Sequence, residues 1–212
     1  MWISLLASIW VQGAQLERLC PTIYTCQNFL TEEECDYLIN IAKPHLTRAL
    51  IVNEQGLQIE DPGRTSEGMF ISEPDPIAQK LNEAIAQLTG FPQSHGEDLQ
   101  VLHYPIGGEY RPHYDTFNPD SSAANYLQSG GQRLATFMVY LNTPASGGYT
   151  HFPLADLSIK PEKGKAIFFY NVDHLGNIDE MSLHAGMPVL EGEKWIITRW
   201  LRQYCVRPAR EH

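Results

Sequence analysis

In the stretch YRPHYD, His113 and Asp115 stand two residues apart. On an extended segment that spacing puts an imidazole and a carboxylate on one face, where both can ligate the same metal ion. Alone, an H-x-D pair is a weak signal, because a surface pair or a hydrogen-bonded core histidine gives the same pattern. A second histidine adds weight: His184, in MSLHAGMPV, falls in a short β-like segment with Ser182 expected on the same face. Two histidines and one carboxylate are the donor set of the facial triad of non-haem Fe(II) oxygenases, which leaves coordination positions open. A zinc hydrolase draws on similar ligands but normally keeps one open position.

Ten residues after His184, the stretch GEKWIITRW raises a question of charge. It reads as a buried strand, with Lys194, Ile196, Thr198 and Trp200 on one face and Trp195, Ile197, Arg199 and Leu201 on the other. A lysine aligned with such neighbours either snorkels to water at a strand end or meets an anion inside. If iron is chelated by a 2-oxo acid, the far carboxylate of that acid needs a cation, and Lys194 supplies one. Thr198, on the same face, is placed to donate a hydrogen bond.

The elements that must hold these residues fit in one domain of 212 residues, with 43% hydrophobic and 19% charged composition. A net charge of −10 argues against nucleic acid as a partner, since phosphate binding needs a basic patch. Cys20, Cys26, Cys35 and Cys205 have no zinc-type spacing, and read as thiols of a reducing compartment, with a Cys20–Cys205 or Cys20–Cys26 bridge as the alternative. The N-terminal MWISLLASIWVQGAQ lacks a basic residue before its apolar run and is too short to span a bilayer. Residues 1–22 are therefore expected to dock on the domain as a helix or strand, in a cytoplasmic protein. The alternative is a targeting segment that directs the chain to the secretory pathway and endoplasmic reticulum.

Thr31 followed by Glu34 is a capping box, and Cys35, Leu38, Ile39 and Ala42 make an apolar stripe, which predicts a helix from about Thr31 to Lys43. A second helix is expected from about Asp75 to Thr89, with Ile77, Leu81, Ile85 and Leu88 facing the core and Gly90 and Pro92 ending it. Strands around a polar loop lie between them. Beyond residue 95, LQVLHY, RLATFMVYLN, KAIFFYN and KWIITRWL alternate with Gly-, Pro- and Asn-rich turns, the pattern of a β sandwich or barrel.

Four blocks, LQVLHYPIGGEYRPHYD, GGQRLATFMVYLNTP, GGYTHFP and SLHAGMPVLEGEKWIITRWLR, together resemble the prolyl 4-hydroxylase family of Fe(II)/2-oxoglutarate dioxygenases, in particular its compact bacterial and viral-type members. FLTEEECDYLI and RTSEGMF extend the resemblance upstream, so that it covers roughly Ile23 to Tyr204. It implies an α+β chain whose core is a double-stranded β-helix, a jelly roll of cupin-like form, with the N-terminal helices packed on one sheet. Residues 23–205 would be the dioxygenase domain and 206–212 a tail. By the same resemblance, His113, Asp115 and His184 bind Fe(II), and Lys194 pairs with the far carboxylate of 2-oxoglutarate. Tyr104 and Thr150 would hydrogen-bond beside it, and Trp200 would line the cavity, although Tyr104 and Trp200 read equally as core aromatics. Arg64 and Ser66 match a mobile substrate loop, and Tyr110 and Arg133 match peptide-contacting positions; Arg133 also reads as a solvated strand end.

The implied reaction consumes 2-oxoglutarate and O₂, yields succinate and CO₂, and hydroxylates a peptidyl proline to 4-hydroxyproline, with ascorbate as reductant. The expected partner is a proline-containing peptide or protein, with no membrane span. Two departures from the family pattern, Tyr149 in GGYTHF and His103 where arginine is frequent, touch the pocket wall and rim rather than the iron. Two rival readings remain at this stage: the same chemistry on a free amino acid or other small molecule, and a cupin-like metal-binding module without turnover.

Overall fold

Local capping chemistry starts both helices in the computed structural model of the chain, which describes residues 16–53, 55–71 and 75–206. Thr31 Oγ1 accepts the Glu34 N–H at 3.2 Å, and the Glu34 carboxylate accepts the Thr31 N–H at 3.0 Å, a reciprocal box that opens α1, Glu32–Ala42. The Asp75 carboxylate accepts the Ala78 N–H at 2.8 Å to open α2, Pro76–Thr89. Gly90 closes α2 at φ 77°, a left-handed conformation that only glycine adopts without steric cost.

The four long apolar runs all lie in one antiparallel sheet. Its eight strands run in the order Leu16–Cys20, Ile23–Cys26, Ala166–Tyr170, Arg133–Tyr140, Lys194–Arg202, Leu99–Tyr104, Glu67–Ile71, Thr47–Arg48. A smaller sheet, ordered Leu157–Ile159, Thr150–Phe152, His184–Gly186, Tyr110–His113, makes the second layer. Two short ribbons complete the strand set: Ile51–Val52 with Gln58–Ile59, and Ser146–Gly147 with Val189–Glu191.

Side-chain alternation along the large sheet divides the core in two. Val101, Phe137, Val139, Trp195, Ile197 and Leu201 point to the helices and pack with Leu38, Leu81, Ile85 and Leu88. Leu102, Tyr104, Met138, Tyr140 and Ile196 point the other way and meet Phe152, Ile159 and Val189. Leu38 and Leu88 are fully buried, and truncating either to alanine should cost about 2–5 kcal/mol. This is the helix-backed double-stranded β-helix expected from the sequence, and it leaves one sheet face free to build a site against the smaller sheet.

Of the segment expected to dock, residues 1–15 lie outside the described residues, and Leu16–Cys20 pairs with Ile23–Cys26 as the edge strand of the large sheet. In the 206–212 tail, only Val206 is described. No described helix is long and apolar enough to cross a membrane. The four cysteines are thiols, with no disulfide among them.

Candidate active site

Strand register places the two histidines. His113 ends the Tyr110–His113 strand and is the direct cross-strand partner of His184, which begins His184–Gly186. Their rings lie 4.3 Å apart, centroid to centroid. Asp115 follows just beyond the strand end, with Oδ1 3.6 Å from His113 Nε2 and Oδ2 3.8 Å from His184 Nε2. His113 Nδ1 contacts the Arg111 carbonyl at 2.8 Å, and His184 Nδ1 contacts the Ser182 carbonyl at 2.9 Å. A carbonyl only accepts, so each Nδ1 carries the proton and each Nε2 keeps its lone pair for the interior.

One ligand atom from each of the three side chains falls within 4.8 Å of the others, a spacing that can hold one metal ion. Electrostatics favour the ligating protonation states. Burial and the neighbouring His113 push His184 down to about 4. Burial alone would raise Asp115, but the two imidazoles and the Arg133 guanidinium hold its carboxyl well below the usual carboxylate range. Neutral nitrogen donors and an ionised oxygen donor suit Fe(II).

Lys194 stands in the same cavity, directly across the strand pair from Tyr104. At 1% exposure it does not snorkel to water. Its ammonium donates to the Gly148 carbonyl at 2.9 Å and lies 4.7 Å from the Tyr104 ring centroid. Gly148 is needed there: a Cβ would come within 3.1 Å of Lys194 Cδ, and φ is 71°. Among the described residues no carboxylate pairs with Lys194, and burial alone pushes its ammonium down to about 7. Thr150, Thr198 and Trp200 line the cavity with it. Thr150 Oγ1 is 2.6 Å from the Tyr140 hydroxyl, and the buried Trp200 Nε1–H has no hydrogen-bond partner among the described residues. Thr198 Oγ1 instead donates to the Phe137 carbonyl, at 3.4 Å.

The residues expected at the substrate divide. Tyr110 stacks on His113 at 3.5 Å, and the Arg64 guanidinium sits 4.8 Å from the Tyr110 ring, making a column that ends at the triad. An open groove runs from Arg48 past Arg64, Tyr110 and Arg111 to Trp200. The Arg64–Ser66 segment is pinned rather than loose. Arg64 bridges to Tyr110 and donates to the Leu50 carbonyl at 2.8 Å, while Thr65 N–H donates to the Glu109 carbonyl at 3.0 Å. Ser66 is wholly buried and accepts from Arg64 Nε at 3.4 Å, so it supports Arg64 instead of facing the groove.

Arg133 is neither a solvated strand end nor a free groove cation. Both its Nε and Nη2 donate to the Glu97 carboxylate at 2.7 Å, and its guanidinium lies 3.9 Å from the Trp200 ring. Two further expectations need correction. Ser182 sits in a 3-10 turn, Glu180–Ser182, not on the face of the His184 strand. His103 is not at the pocket rim; strand alternation turns it to the opposite sheet face, its ring 4.3 Å from that of Trp195 and tilted against it by 31°.

Glu97, Thr136 and Asn171 touch the site and were not singled out in the sequence. Glu97 anchors both Arg133 and Arg202, the latter at 2.9 Å. Thr136 donates to Asp115 Oδ2 at 2.6 Å, and Asn171 donates to Thr136. The available signal was a lone polar residue within or just after an apolar strand run, here Thr136 in RLATFMVY and Asn171 after AIFFY.

Comparison with known proteins bears on this arrangement. The model of the 2OG-Fe(II) oxygenase superfamily matches residues 99–202. A probable prolyl 4-hydroxylase 10 of Arabidopsis thaliana is 38% identical over 214 residues, covering 91% of this chain and 72% of that protein. Prolyl 4-hydroxylase 5 of the same plant is 36% identical over 212 residues, covering 90% and 70%. Among solved structures, the viral collagen prolyl hydroxylase of Paramecium bursaria Chlorella virus-1, in its 2OG complex, superposes with a TM-score of 0.66 at 32% identity, covering 87% of this chain and 99% of that one. A Pseudomonas putida prolyl-4-hydroxylase shares the fold at a TM-score of 0.59 and 18% identity, covering 85% and 92%.

Proposed function

The chain belongs to the prolyl 4-hydroxylase family of 2OG-Fe(II) oxygenases, and we propose that its own catalytic centre is the His113–Asp115–His184 cluster with Lys194 as co-substrate anchor. It is a 2-oxoglutarate-dependent dioxygenase that hydroxylates peptidyl proline to 4-hydroxyproline, with succinate and CO₂ as co-products. The observation that carries the site assignment is Lys194, a fully buried cation with no carboxylate partner among the described residues, in the cavity lined by His113, Asp115 and His184. An ammonium desolvated in this way is stabilised by the far carboxylate of a 2-oxo dicarboxylic acid.

His113 Nε2, His184 Nε2 and Asp115 would hold Fe(II), which when bound would supply the oxygen chemistry that no side chain can perform. The protein's residues bind and orient. Lys194, with Thr150 and the Tyr104 hydroxyl, fixes the distal end of 2-oxoglutarate. Tyr110, whose hydroxyl burial pushes up to about 12, remains a neutral donor at the mouth of the cavity. Arg64 braces Tyr110 from behind, and Arg133 buttresses Trp200 along the groove where a proline-containing peptide would lie. The apolar walls, Leu102, Met138 and Ile196, keep water from the reacting atoms. Residues 23–205 form the catalytic unit in this reading.

The assignment is tested by incubating the protein with Fe(II), ascorbate, 2-oxoglutarate and a proline-rich peptide, then hydrolysing the peptide and assaying 4-hydroxyproline. The product should appear with the parent protein and be absent with Lys194→Ala at low 2-oxoglutarate. Equal dependence on 2-oxoglutarate concentration in both would overturn the role given to Lys194.

A further inference from the structure

The two carboxylate oxygens of Asp115 have different surroundings. Oδ1 lies 3.6 Å from His113 Nε2, whereas Oδ2, 3.8 Å from His184 Nε2, also accepts a hydrogen bond from Thr136 Oγ1 at 2.6 Å. Thr136 Oγ1 in turn accepts from Asn171 Nδ2 at 3.0 Å, while the amide oxygen of Asn171 is farther away at 3.4 Å. A hydroxyl has a single proton, so the amide N–H arriving at one lone pair directs that proton at Asp115. Both side chains are shut off from solvent, Thr136 at 3% exposure and Asn171 at 0%.

The main chain of Asn171 reaches the other side of the site. Its N–H donates to the Leu134 carbonyl at 2.8 Å, fastening it to the Arg133–Tyr140 strand, and its carbonyl accepts the Asp179 N–H at 3.0 Å. Asp179 organises the Glu180–Ser182 turn: its carboxylate accepts the Met181 N–H at 3.0 Å, and its carbonyl accepts the Ser182 hydroxyl at 2.7 Å. The Ser182 carbonyl then holds His184 Nδ1. Hydrogen bonds, joined through the covalent frames of Asn171, Asp179 and Ser182, thus link Asp115 Oδ2 to His184 Nδ1, and Asn171 is in the middle.

We propose that Thr136 and Asn171 are positioning residues for the metal centre: Thr136 occupies Asp115 Oδ2 so that the carboxylate offers one oxygen to the ion, and Asn171 sets that orientation together with that of His184. This rests on the ligand assignment made above. The physical gain is preorganisation. A carboxylate held by a buried hydrogen-bonded chain loses little rotational freedom when the ion arrives, and removing such outer partners typically weakens metal binding about 10–100-fold.

The test is a titration of metal-free protein with Co(II), followed by visible absorption, which requires no turnover. Thr136→Val removes the donor at similar volume, Thr136→Ser keeps it, Asn171→Ala removes the amide that aims it, and His184→Ala reports on the ligand set. Co(II) affinity should fall about 10–100-fold in Thr136→Val and in Asn171→Ala, and stay within about threefold of the parent in Thr136→Ser. The double variant should be little worse than either single one, because both act through one bond. Unchanged affinity in Thr136→Val beside lost binding in His184→Ala overturns the positioning role and leaves the ligand set standing. Equal weakening in Thr136→Val and Thr136→Ser also overturns it, since a packing defect would account for both. Parental affinity in His184→Ala overturns the ligand assignment and this inference with it.

Discussion

Replacing Lys194 with methionine should stabilise the metal-free protein while abolishing its grip on 2-oxoglutarate. Burial pushes the Lys194 ammonium from 10.5 down to about 7. At about 1.4 kcal/mol per pKa unit, holding that charge inside costs on the order of 5 kcal/mol relative to an exposed lysine. The substitution also removes the hydrogen bond to the Gly148 carbonyl, a contribution of about 1 kcal/mol, and its contact with Tyr104. The net expectation at pH 7 is a gain of about 2–4 kcal/mol, which raises Tm by several degrees. The sign with pH follows from proton counting. Between about 7 and 10.5 the unfolded lysine is protonated and the folded one is not, so the unfolded state binds more protons and the parent gains stability as pH rises. The advantage of the Lys194→Met variant should therefore shrink from pH 7 to pH 9. Calorimetric unfolding of both proteins at the two pH values measures this, and titration of 2-oxoglutarate into the metal-loaded forms measures the lost affinity. A variant less stable than the parent at pH 7 would contradict the cost of burying the ammonium, and one that binds 2-oxoglutarate as tightly would contradict its role as anchor.

Asp115→Ala and His184→Ala should abolish turnover while leaving far-ultraviolet circular dichroism unchanged; full activity in either would contradict the ligand set. In the metal-free protein, His184 protonates near 4 when folded but near 6.5 when unfolded, so the unfolded state binds more protons across that window. Urea midpoints should accordingly fall as pH is lowered from 6.5 towards 4, and fall less in His184→Asn. Glu97→Gln leaves Arg133 and Arg202 without their shared carboxylate and should destabilise the protein by about 3–5 kcal/mol in the same urea assay.

The parts of the molecule legible in the sequence are those written in short-range patterns. Thr31 with Glu34, and Asp75 followed by Pro76 and closed by Gly90, mark both helices because capping is a contact between near neighbours. The Lys194–Arg202 strand declares its two faces by alternation, and the odd lysine among them proved to be the buried cation of the cavity. His113, Asp115 and His184 were found by residue type and spacing, and register brought them together.

What was not legible depends on pairings between distant strands. Glu97 meets Arg133 across 36 positions, and Asn171 meets Thr136 across 35; neither distance leaves a periodic trace. Ser66 sits two positions from Arg64 and yet is wholly buried, its hydroxyl taken by Arg64 Nε, a contact that residue type and spacing do not reveal. His103 went astray for a simpler reason: it neighbours Tyr104 in sequence, and in a strand neighbours face opposite sides.

With Fe(II) at His113, Asp115 and His184 and 2-oxoglutarate anchored on the buried Lys194, decarboxylation of the co-substrate should be coupled to oxidation of a prolyl residue. The most direct measurement is a single reaction under ¹⁸O₂ with Fe(II), ascorbate, 2-oxoglutarate and a proline-rich peptide, read by mass spectrometry of peptide and succinate together. Succinate formation should be stimulated by the peptide, with one ¹⁸O in succinate and one on the peptide's proline. Succinate formed at the same rate with and without peptide, with no label on proline, would contradict it.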